Sequence, residues 1–204
     1  MVDRQTHWND TYSAKADNQV SWFQVRPERS LELIAAAAPD RAAPIIDIGG
    51  GASRLADTLL GLGYSDITVL DIAATGLSRT KARLGAQADK LSWIVADVTQ
   101  WQPSRIWQVW HDRAVFHFLT EAEAQDAYIA ALKRGTAAGS SVIIATFALN
   151  GPERCSGLSV QRYSPATLAT RLGADFALYA ESEESHATPF GTTQPFQYAA
   201  FRRR

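Results

Sequence analysis

The order of apolar and polar residues predicts strands and helices that alternate along most of the chain. Short runs rich in Ile, Val and Leu, typical of buried parallel strands, are separated by longer segments with helical spacing. The predicted strands span residues 44–49, 67–71, 91–96, 107–115 and 141–147, and the predicted helices span residues 53–62, 74–85, 121–134 and 164–172. This order predicts an α/β fold with a parallel sheet covered on both faces.

The two ends of the chain follow other patterns. Pro27 opens a predicted helix that continues to about Ala37, since the first helical turn tolerates a missing N–H. Residues 175–182 and 196–202 alternate apolar and polar positions around the segment 188–191, which predicts an antiparallel hairpin at a sheet edge. We therefore expect one domain over 1–204, with a helical cap or lid over 1–38, a core over 43–147, and loops and a hairpin on the substrate side over 148–204.

Composition narrows the class of protein. The 204 residues are 46% hydrophobic and 20% charged, as in an ordinary globular enzyme, and the net charge of −1 gives no electrostatic footprint for nucleic acid. The single Cys155 cannot form an intrachain disulfide, and no His lies at metal-ligand spacing from it, so we predict no metal. No segment is apolar enough to cross a bilayer or serve as a signal peptide, which favours a cytoplasmic protein that does not contact a membrane.

The end of the first strand carries the most informative motif, Ile45-Ile46-Asp47-Ile48-Gly49-Gly50-Gly51-Ala52-Ser53. Glycines between a strand and a helix let backbone approach a ligand closely, although any tight turn also favours them. A dinucleotide site requires G-x-G-x-x-G, and its third position here is Arg54, which argues against a nicotinamide cofactor. Ser53 is placed to cap the next helix.

Two further acidic residues end the next two predicted strands. Asp71 follows Ile67–Leu70, and a carboxylate there can accept hydrogen bonds from both ribose hydroxyls of a nucleoside cofactor. Asp97 follows the third strand. The carboxyl ends of parallel strands meet in one crevice, so Asp47, Asp71 and Asp97 are expected to face the same site.

Residues 43–147 resemble the cofactor-binding core of class I S-adenosylmethionine-dependent methyltransferases, with Asp47, Gly49, Gly51 and Ser53 in the places of motif I. The resemblance implies a Rossmann-like, mostly parallel seven-stranded sheet and S-adenosyl-L-methionine as cofactor. It also implies that Asp97 accepts from the adenine amino group and that Val98 offers its N–H to the ring. The predicted cofactor-binding residues are Asp47, Gly49, Gly50, Gly51, Ser53, Asp71, Ile72, Asp97, Val98, Trp8 and Tyr12.

The end of the fourth strand, Trp110-His111-Asp112-Arg113-Ala114-Val115-Phe116-His117-Phe118-Leu119, occupies the place of motif IV, which supplies the methyl-acceptor side. Asp112 and His117 are the candidate bases, and Arg113 is suited to an acidic acceptor. The alternatives are that Asp112 and Arg113 form a structural ion pair and that one of His111 and His117 is only packed in the core. These three residues, His117, Asp112 and Arg113, are the predicted catalytic residues.

The N-terminal segments HWNDTY and SWFQ are rich in aromatic residues. They suit a lid over the cofactor or a helix that Trp8 and Tyr12 pack onto the sheet. Together with DIGGGAS, WHDRAVFHFL, CSGLSVQRY and TPFGTTQPFQY they resemble small bacterial-type methyltransferases of unassigned substrate. W-x-x-x-Y followed by W-F is also similar to protein-lysine N-methyltransferases.

These observations predict a methyltransferase that acts on a small molecule rather than a protein, as a monomer or homodimer without a nucleic-acid partner. Three alternatives remain open at this stage. They are a protein-lysine N-methyltransferase, an NAD-dependent oxidoreductase and a non-catalytic protein that binds S-adenosylmethionine.

Overall fold

A computed structural model describes residues 3–204 of the chain. Its helices are α1 (Arg4–Ala14), α2 (Glu28–Ala37), α3 (Leu55–Gly61), α4 (Ala74–Leu84), α5 (Ala122–Gly135) and α6 (Pro165–Leu172). Its strands are β1 (Ile45–Ile48), β2 (Ile67–Asp71), β3 (Ser92–Val95), β4 (Val109–Arg113), β5 (Ser141–Phe147), β6 (Arg154–Cys155), β7 (Leu158–Ser159), β8 (Phe176–Ala187) and β9 (Thr193–Arg203). The predicted elements of the core are thus confirmed, with ends that differ by two residues or fewer.

Seven strands form the main sheet in the order β3-β2-β1-β4-β5-β9-β8. The first five are parallel, and β9 pairs antiparallel with both β5 and β8. This confirms the predicted mostly parallel sheet with a C-terminal antiparallel hairpin. A dinucleotide-binding fold continues with a sixth parallel strand, so the order of β9 and β8 separates this chain from that fold.

Helices cover both faces because consecutive strand residues point to opposite sides. Ile45 packs with residues of α2 and α3 on one face, whereas Ile46 packs with residues of α5 and α6 on the other. The strands β1, β2, β4 and β5 are buried over most of their length, which is why their sequences read as continuous apolar runs.

Two segments differ from the sequence prediction. The hairpin strands β8 and β9 are longer than predicted, reaching Ala187 and Thr193 on either side of the turn at 188–192. The segment after β5, predicted to be a loop, forms the short β6–β7 hairpin and buries Gly151 and Cys155. Cys155 packs into the core on the α2 side of the sheet, and contacts of this kind are not local in sequence.

Candidate active site

The carboxyl ends of the parallel strands open into a cavity. Its wall is built from the residues that end or follow β1 to β5, from the beginning of β9, and from α1. It is lined by Arg4, Trp8, Tyr12, Trp22, Ile48, Gly49, Leu70, Asp71, Ile72, Ala96, Asp97, Val98, Arg113, Ala114, Val115, Phe118, Leu119, Phe147, Cys155, Gln194 and Phe196. A second cavity lies on the α2 side of the glycine turn.

The three glycines of the turn have different surroundings. Gly49 borders the main cavity and adopts φ of +71°, and a Cβ there would lie 2.1 Å from Val115 Cγ2. Gly50 borders the second cavity, and a Cβ there would lie 2.6 Å from Asp47 Oδ2. A Cβ on Gly51 would lie 2.4 Å from the Tyr12 hydroxyl and 2.7 Å from Asp71 Oδ2. Only Gly49 faces the main cavity directly, while the other two allow close packing around it.

Ser53 lies beside the start of α3 rather than at its N-cap position, which Arg54 occupies. The Ser53 hydroxyl still accepts a hydrogen bond from the Leu55 N–H at 3.1 Å. Ser53 therefore makes the predicted capping hydrogen bond from one residue before the N-cap position. Of the two cavities, Ser53 borders only the second.

Asp71 and Asp97 both border the main cavity. Asp71 is buried and accepts a 2.7 Å hydrogen bond from the Ala73 N–H, and burial raises the pKa of its carboxyl to about 7. Asp97 is half-buried, and its Oδ1 accepts hydrogen bonds from both the N–H and the hydroxyl of Thr99. The hydrogen bonds within residues 3–204 leave Asp97 Oδ2 available to a ligand.

Helix α1 packs over this end of the cavity. Tyr12 is buried between the glycine turn and Gly76 of α4, and Trp8 stacks edge-on against Phe118 with ring centroids 5.0 Å apart. The helix is fixed to the first turn of α4 by Asn9 Oδ1, which accepts from the Thr75 N–H and hydroxyl at 3.2 and 2.9 Å. The structure thus has the packed helix, and Trp8 and Tyr12 of this helix form part of the cavity wall.

Asp47 does not border the main cavity but belongs to a buried hydrogen-bonded chain. It lies opposite His111 in the β1–β4 pairing, and its Oδ1 is 2.7 Å from His111 Nδ1. His111 Nε2 is 2.9 Å from the hydroxyl of Ser30 in α2. These three side chains connect β1, β4 and α2 behind the turn, so His111 is bonded at both ring nitrogens.

Asp112 is a correction to the sequence prediction of a catalytic base. Its side chain is fully buried on the α5 side of the sheet, where it accepts hydrogen bonds from the N–H groups of Val115 and Phe116 and from the Tyr128 hydroxyl. Burial raises its pKa to about 6, and these donors hold it in a structural position. The alternative Asp112–Arg113 ion pair does not form either, because neighbouring strand residues point to opposite faces.

His117 is the second correction. It is fully buried in a 3-10 helix at Phe116–Phe118, outside the cavity lining, with its ring packed against Phe118 and Phe147. Its Nδ1 accepts from the Phe147 N–H at 3.4 Å. Desolvation, assisted by Arg113, lowers its pKa to about 3, so the imidazole is neutral at physiological pH and has no contact with the cavity.

Arg113 is the one predicted catalytic residue that borders the main cavity, and it borders the second cavity as well. Its Nε donates to the Tyr198 hydroxyl at 3.0 Å and its Nη1 to the Trp22 carbonyl at 3.3 Å. The guanidinium stacks 4.3 Å above the Phe196 ring. Glu184 Oε2 lies 3.5 Å from Nη2, within ion-pair distance, but Nη2 is buried without a hydrogen bond.

Several residues at this end of the cavity lie outside the predicted catalytic and cofactor-binding sets. Ala114, directly after Arg113, adopts φ of +72°, a left-handed conformation that non-glycine residues rarely adopt outside turns and functional sites. Phe147, Gln194 and Phe196 come from β5 and β9, and the buried Gln194 Oε1 has no hydrogen-bond partner among the described residues. Their sequence signal is only that of an ordinary strand, since hairpin pairing alone brings them to the cavity.

Structural comparison identifies the fold. The chain has the class I methyltransferase fold, as its strand order and its similarity to solved structures agree. An S-adenosylmethionine-dependent methyltransferase from Anabaena variabilis ATCC 29413 superimposes with a TM-score of 0.76 at 12% identity, covering 100% of this chain and 96% of its own. The N-methyltransferase NodS from Bradyrhizobium japonicum WM9, crystallised with S-adenosyl-L-homocysteine, gives 0.71 at 15% identity, covering 96% and 97%.

A protein studied for the conversion of a disulfide bond into a thioacetal group during echinomycin biosynthesis gives a TM-score of 0.77 at 18% identity, covering 98% of this chain and 92% of its own. No protein-family model and no curated protein sequence matches the chain.

Within residues 3–204, no helix is both long and apolar enough to span a membrane. No cluster of three or more His, Cys, Asp or Glu side chains in this part of the chain is arranged to hold a metal ion.

Proposed function

We propose that this protein transfers a methyl group from S-adenosylmethionine to a small acceptor molecule. The observation that carries the proposal is that Gly49, Asp71 and Asp97, each at the carboxyl end of a neighbouring strand, border one cavity. A backbone turn without side chains next to two carboxylates suits a nucleoside cofactor with a zwitterionic tail.

Each group has a role in this proposal. Asp71 accepts hydrogen bonds from the ribose hydroxyls, Asp97 Oδ2 accepts from the adenine amino group, and Ile72 and Val98 contact the nucleoside from either side. Gly49 receives the methionine end. Asp47, Gly50, Gly51 and Ser53 act indirectly, because they hold the turn in place through the contacts described above, and Trp8 and Tyr12 cover the bound cofactor.

When bound, S-adenosylmethionine supplies a methyl group on a sulfonium, which is already an activated leaving group. The protein therefore has to position an acceptor in line with that methyl group and exclude water. The aromatic rings of Trp8, Trp22, Phe118, Phe147 and Phe196 provide such an apolar enclosure. An enclosure made from one end of β9 and a packed helix suits a small acceptor.

Calorimetric titration with S-adenosylmethionine and S-adenosylhomocysteine tests the proposal. We expect both to bind, and Asp71→Asn to weaken binding at least about tenfold, because charged hydrogen bonds contribute roughly 1.5–3 kcal/mol. Asp66→Asn is the matched control, since Asp66 precedes the opposite end of β2 and pairs with Arg105 at the surface. Absence of binding by the unmodified protein, or equal loss in both variants, would contradict the proposal.

A further inference from the structure

The main cavity has two halves that differ in chemistry. From β3 to β9 its wall crosses five strand spacings, about 24 Å at the usual separation of strands. The half beside β3 and β2 carries Asp71 and Asp97, the groups assigned above to the cofactor. The half beside β5 and β9 carries aromatic residues with Cys155 and Gln194, and it is left for the acceptor.

Arg113 lies where the two halves meet. Ile48 of β1 pairs with Asp112 of β4, so Gly49 and Arg113 follow side by side at the strand ends. If the cofactor's methionine end rests over Gly49, as proposed above, its methyl group is transferred beside Arg113. The acceptor atom must therefore approach next to a guanidinium whose side chain is only 10% exposed.

The guanidinium is fixed at the cavity wall with one nitrogen that makes no hydrogen bond. Tyr198, Trp22 and the Phe196 ring hold it in place, while Glu184 balances part of its charge at 3.5 Å. Nη2 is nevertheless buried without a hydrogen-bond partner, which is costly for a charged donor unless a ligand completes it. Its positive charge also acts on its surroundings, since it contributes to lowering the pKa of His117 and His186.

A fixed cation at the point of transfer discriminates between acceptors. It repels a protonated amine, and it favours an acidic group in its ionised form. His111, Asp112 and His117, the other titratable groups at the end of β4, are all held in hydrogen bonds or packed away from the cavity. The side chain that the fold presents to the acceptor is thus an electrostatic one rather than a proton acceptor.

Resting on the proposed function, we infer that the acceptor is an apolar or aromatic thiol that reacts as its thiolate beside Arg113. The thiolate lone pair forms the new sulfur–carbon bond, the bond from the methyl carbon to the sulfonium breaks, and its electron pair stays on the cofactor sulfur. The acceptor proton has already gone to solvent before the transfer. The products are a neutral thioether and neutral S-adenosylhomocysteine sulfur.

The apolar wall favours sulfur over oxygen as the anionic atom. A carboxylate is strongly hydrated, and its transfer into an aromatic enclosure with few donors is costly. A thiolate is larger and more polarisable, forms from a thiol of ordinary pKa near 8.5, and packs favourably against aromatic edges. A single hydrogen bond from Arg113 therefore compensates a thiolate for its lost hydration better than it compensates a carboxylate.

A matched set of acceptors tests the inference on the whole protein. We would supply para-nitrothiophenol, para-nitrophenol and para-nitroaniline, which share one ring and differ in the nucleophilic atom, and follow products by mass spectrometry. The expected result is a thiol preference at least about tenfold larger than the preference of the same three nucleophiles for a simple methylsulfonium salt in water, since a hydrogen bond to a charged group contributes at least this much. S-adenosylhomocysteine binding, measured in parallel, reports separately on the proposed function.

Arg113 is tested with Arg113→Gln and Arg113→Lys, and Arg134→Gln on the exposed part of α5 is the control. Benzyl mercaptan, a weakly acidic thiol, should give a kcat profile at saturating thiol whose pH midpoint rises in Arg113→Gln and is restored toward the original in Arg113→Lys. The profile for para-nitrothiophenol, which stays ionised, should not move. A merely structural role for Arg113 would lower both rates without moving the midpoint.

The outcomes separate the two proposals. Failure of the unmodified protein to bind S-adenosylhomocysteine overturns the proposed function and this inference with it. Binding together with a thiol preference no larger than that in water, or with no methylation of either thiol, overturns the inference and leaves cofactor binding standing. An unchanged pH midpoint in Arg113→Gln overturns the role assigned to Arg113.

Discussion

At the scale of single residues, burial decides what each titratable side chain can do. Asp112 and His117 have the residue types of a catalytic base, but the fold removes both from the cavity. Asp71 is also buried, yet it remains on the cavity wall with a pKa near 7. The position of a side chain relative to the sheet, and not its chemical type, decides whether an acid borders the cavity.

The perturbed Asp71 carboxyl gives cofactor binding a pH dependence. Its pKa of about 7 means that acidification below pH 7 protonates it, and a protonated carboxyl accepts hydrogen bonds from the ribose less well. We expect the Kd for S-adenosylhomocysteine to rise by up to about tenfold per pH unit below 7. Calorimetry between pH 5.5 and 8 checks this, and Asp71→Asn should flatten the profile. A profile of equal slope in Asp71→Asn would assign the effect to another group.

At the scale of elements, α1 is joined to the cofactor side of the sheet by a small number of contacts. Tyr12 fills the space above Gly51 and Gly76, and Asn9 caps the first turn of α4 from another helix. The helix is thus both a packed element and the cover of a cavity. Changes at its contacts should alter ligand binding without a direct contact to the ligand.

Asn9→Ala separates these two roles. Loss of the hydrogen bonds to Thr75 should destabilise the protein by about 1 kcal/mol and weaken S-adenosylhomocysteine binding several-fold, because Trp8 and Tyr12 are then held less firmly. Ser13→Ala is the matched control, since Ser13 lies on the same helix, is exposed and bonds only to the Asn9 carbonyl. Denaturant titration and calorimetry measure the two effects. Unchanged affinity in a destabilised Asn9→Ala protein would show that α1 is structural only.

At the scale of the whole molecule, buried titratable groups link folding to pH in opposite directions. Burial raises the pKa of Asp71 and Asp112 to about 7 and about 6, so their contribution to stability falls as pH rises above the unfolded value of 3.8. Burial lowers the pKa of His117 from 6.5 to about 3. Between these two values the unfolded chain binds a proton at His117 and the folded protein does not, so the stability of the fold falls as pH decreases from 6.5 to 3.

The contribution of His117 is isolated by comparison with His117→Asn. Asn can accept the Phe147 N–H without binding a proton, so the variant should gain stability relative to the original protein by up to about 1.4 kcal/mol for each pH unit below 6.5. Urea titrations at pH 4.5, 5.5 and 7.5 measure the difference. A constant difference in unfolding free energy at all three pH values would mean that His117 is not held neutral. At pH 7.5 the difference between the two proteins reports packing alone.

The sequence by itself determined the order of elements, the parallel core and the strand ends that carry Gly49, Asp71 and Asp97. These features follow from apolar runs, turn residues and local spacing. Such patterns extend over a few residues and can be recognised without knowledge of the fold. The resemblance of residues 43–147 to class I methyltransferases implied the mostly parallel seven-stranded sheet, which the structure has.

The tertiary structure alone decided which residues of the fourth strand reach the cavity. The strand period places Asp112 and Arg113 on opposite faces, but only the packed helices show that the α5 side encloses Asp112 beneath Tyr128. The pairing of β9 with β5 brings Phe196, Gln194 and Tyr198 to Arg113 from more than 80 residues away. Such contacts are set by long-range pairing and burial, which a local sequence pattern does not encode.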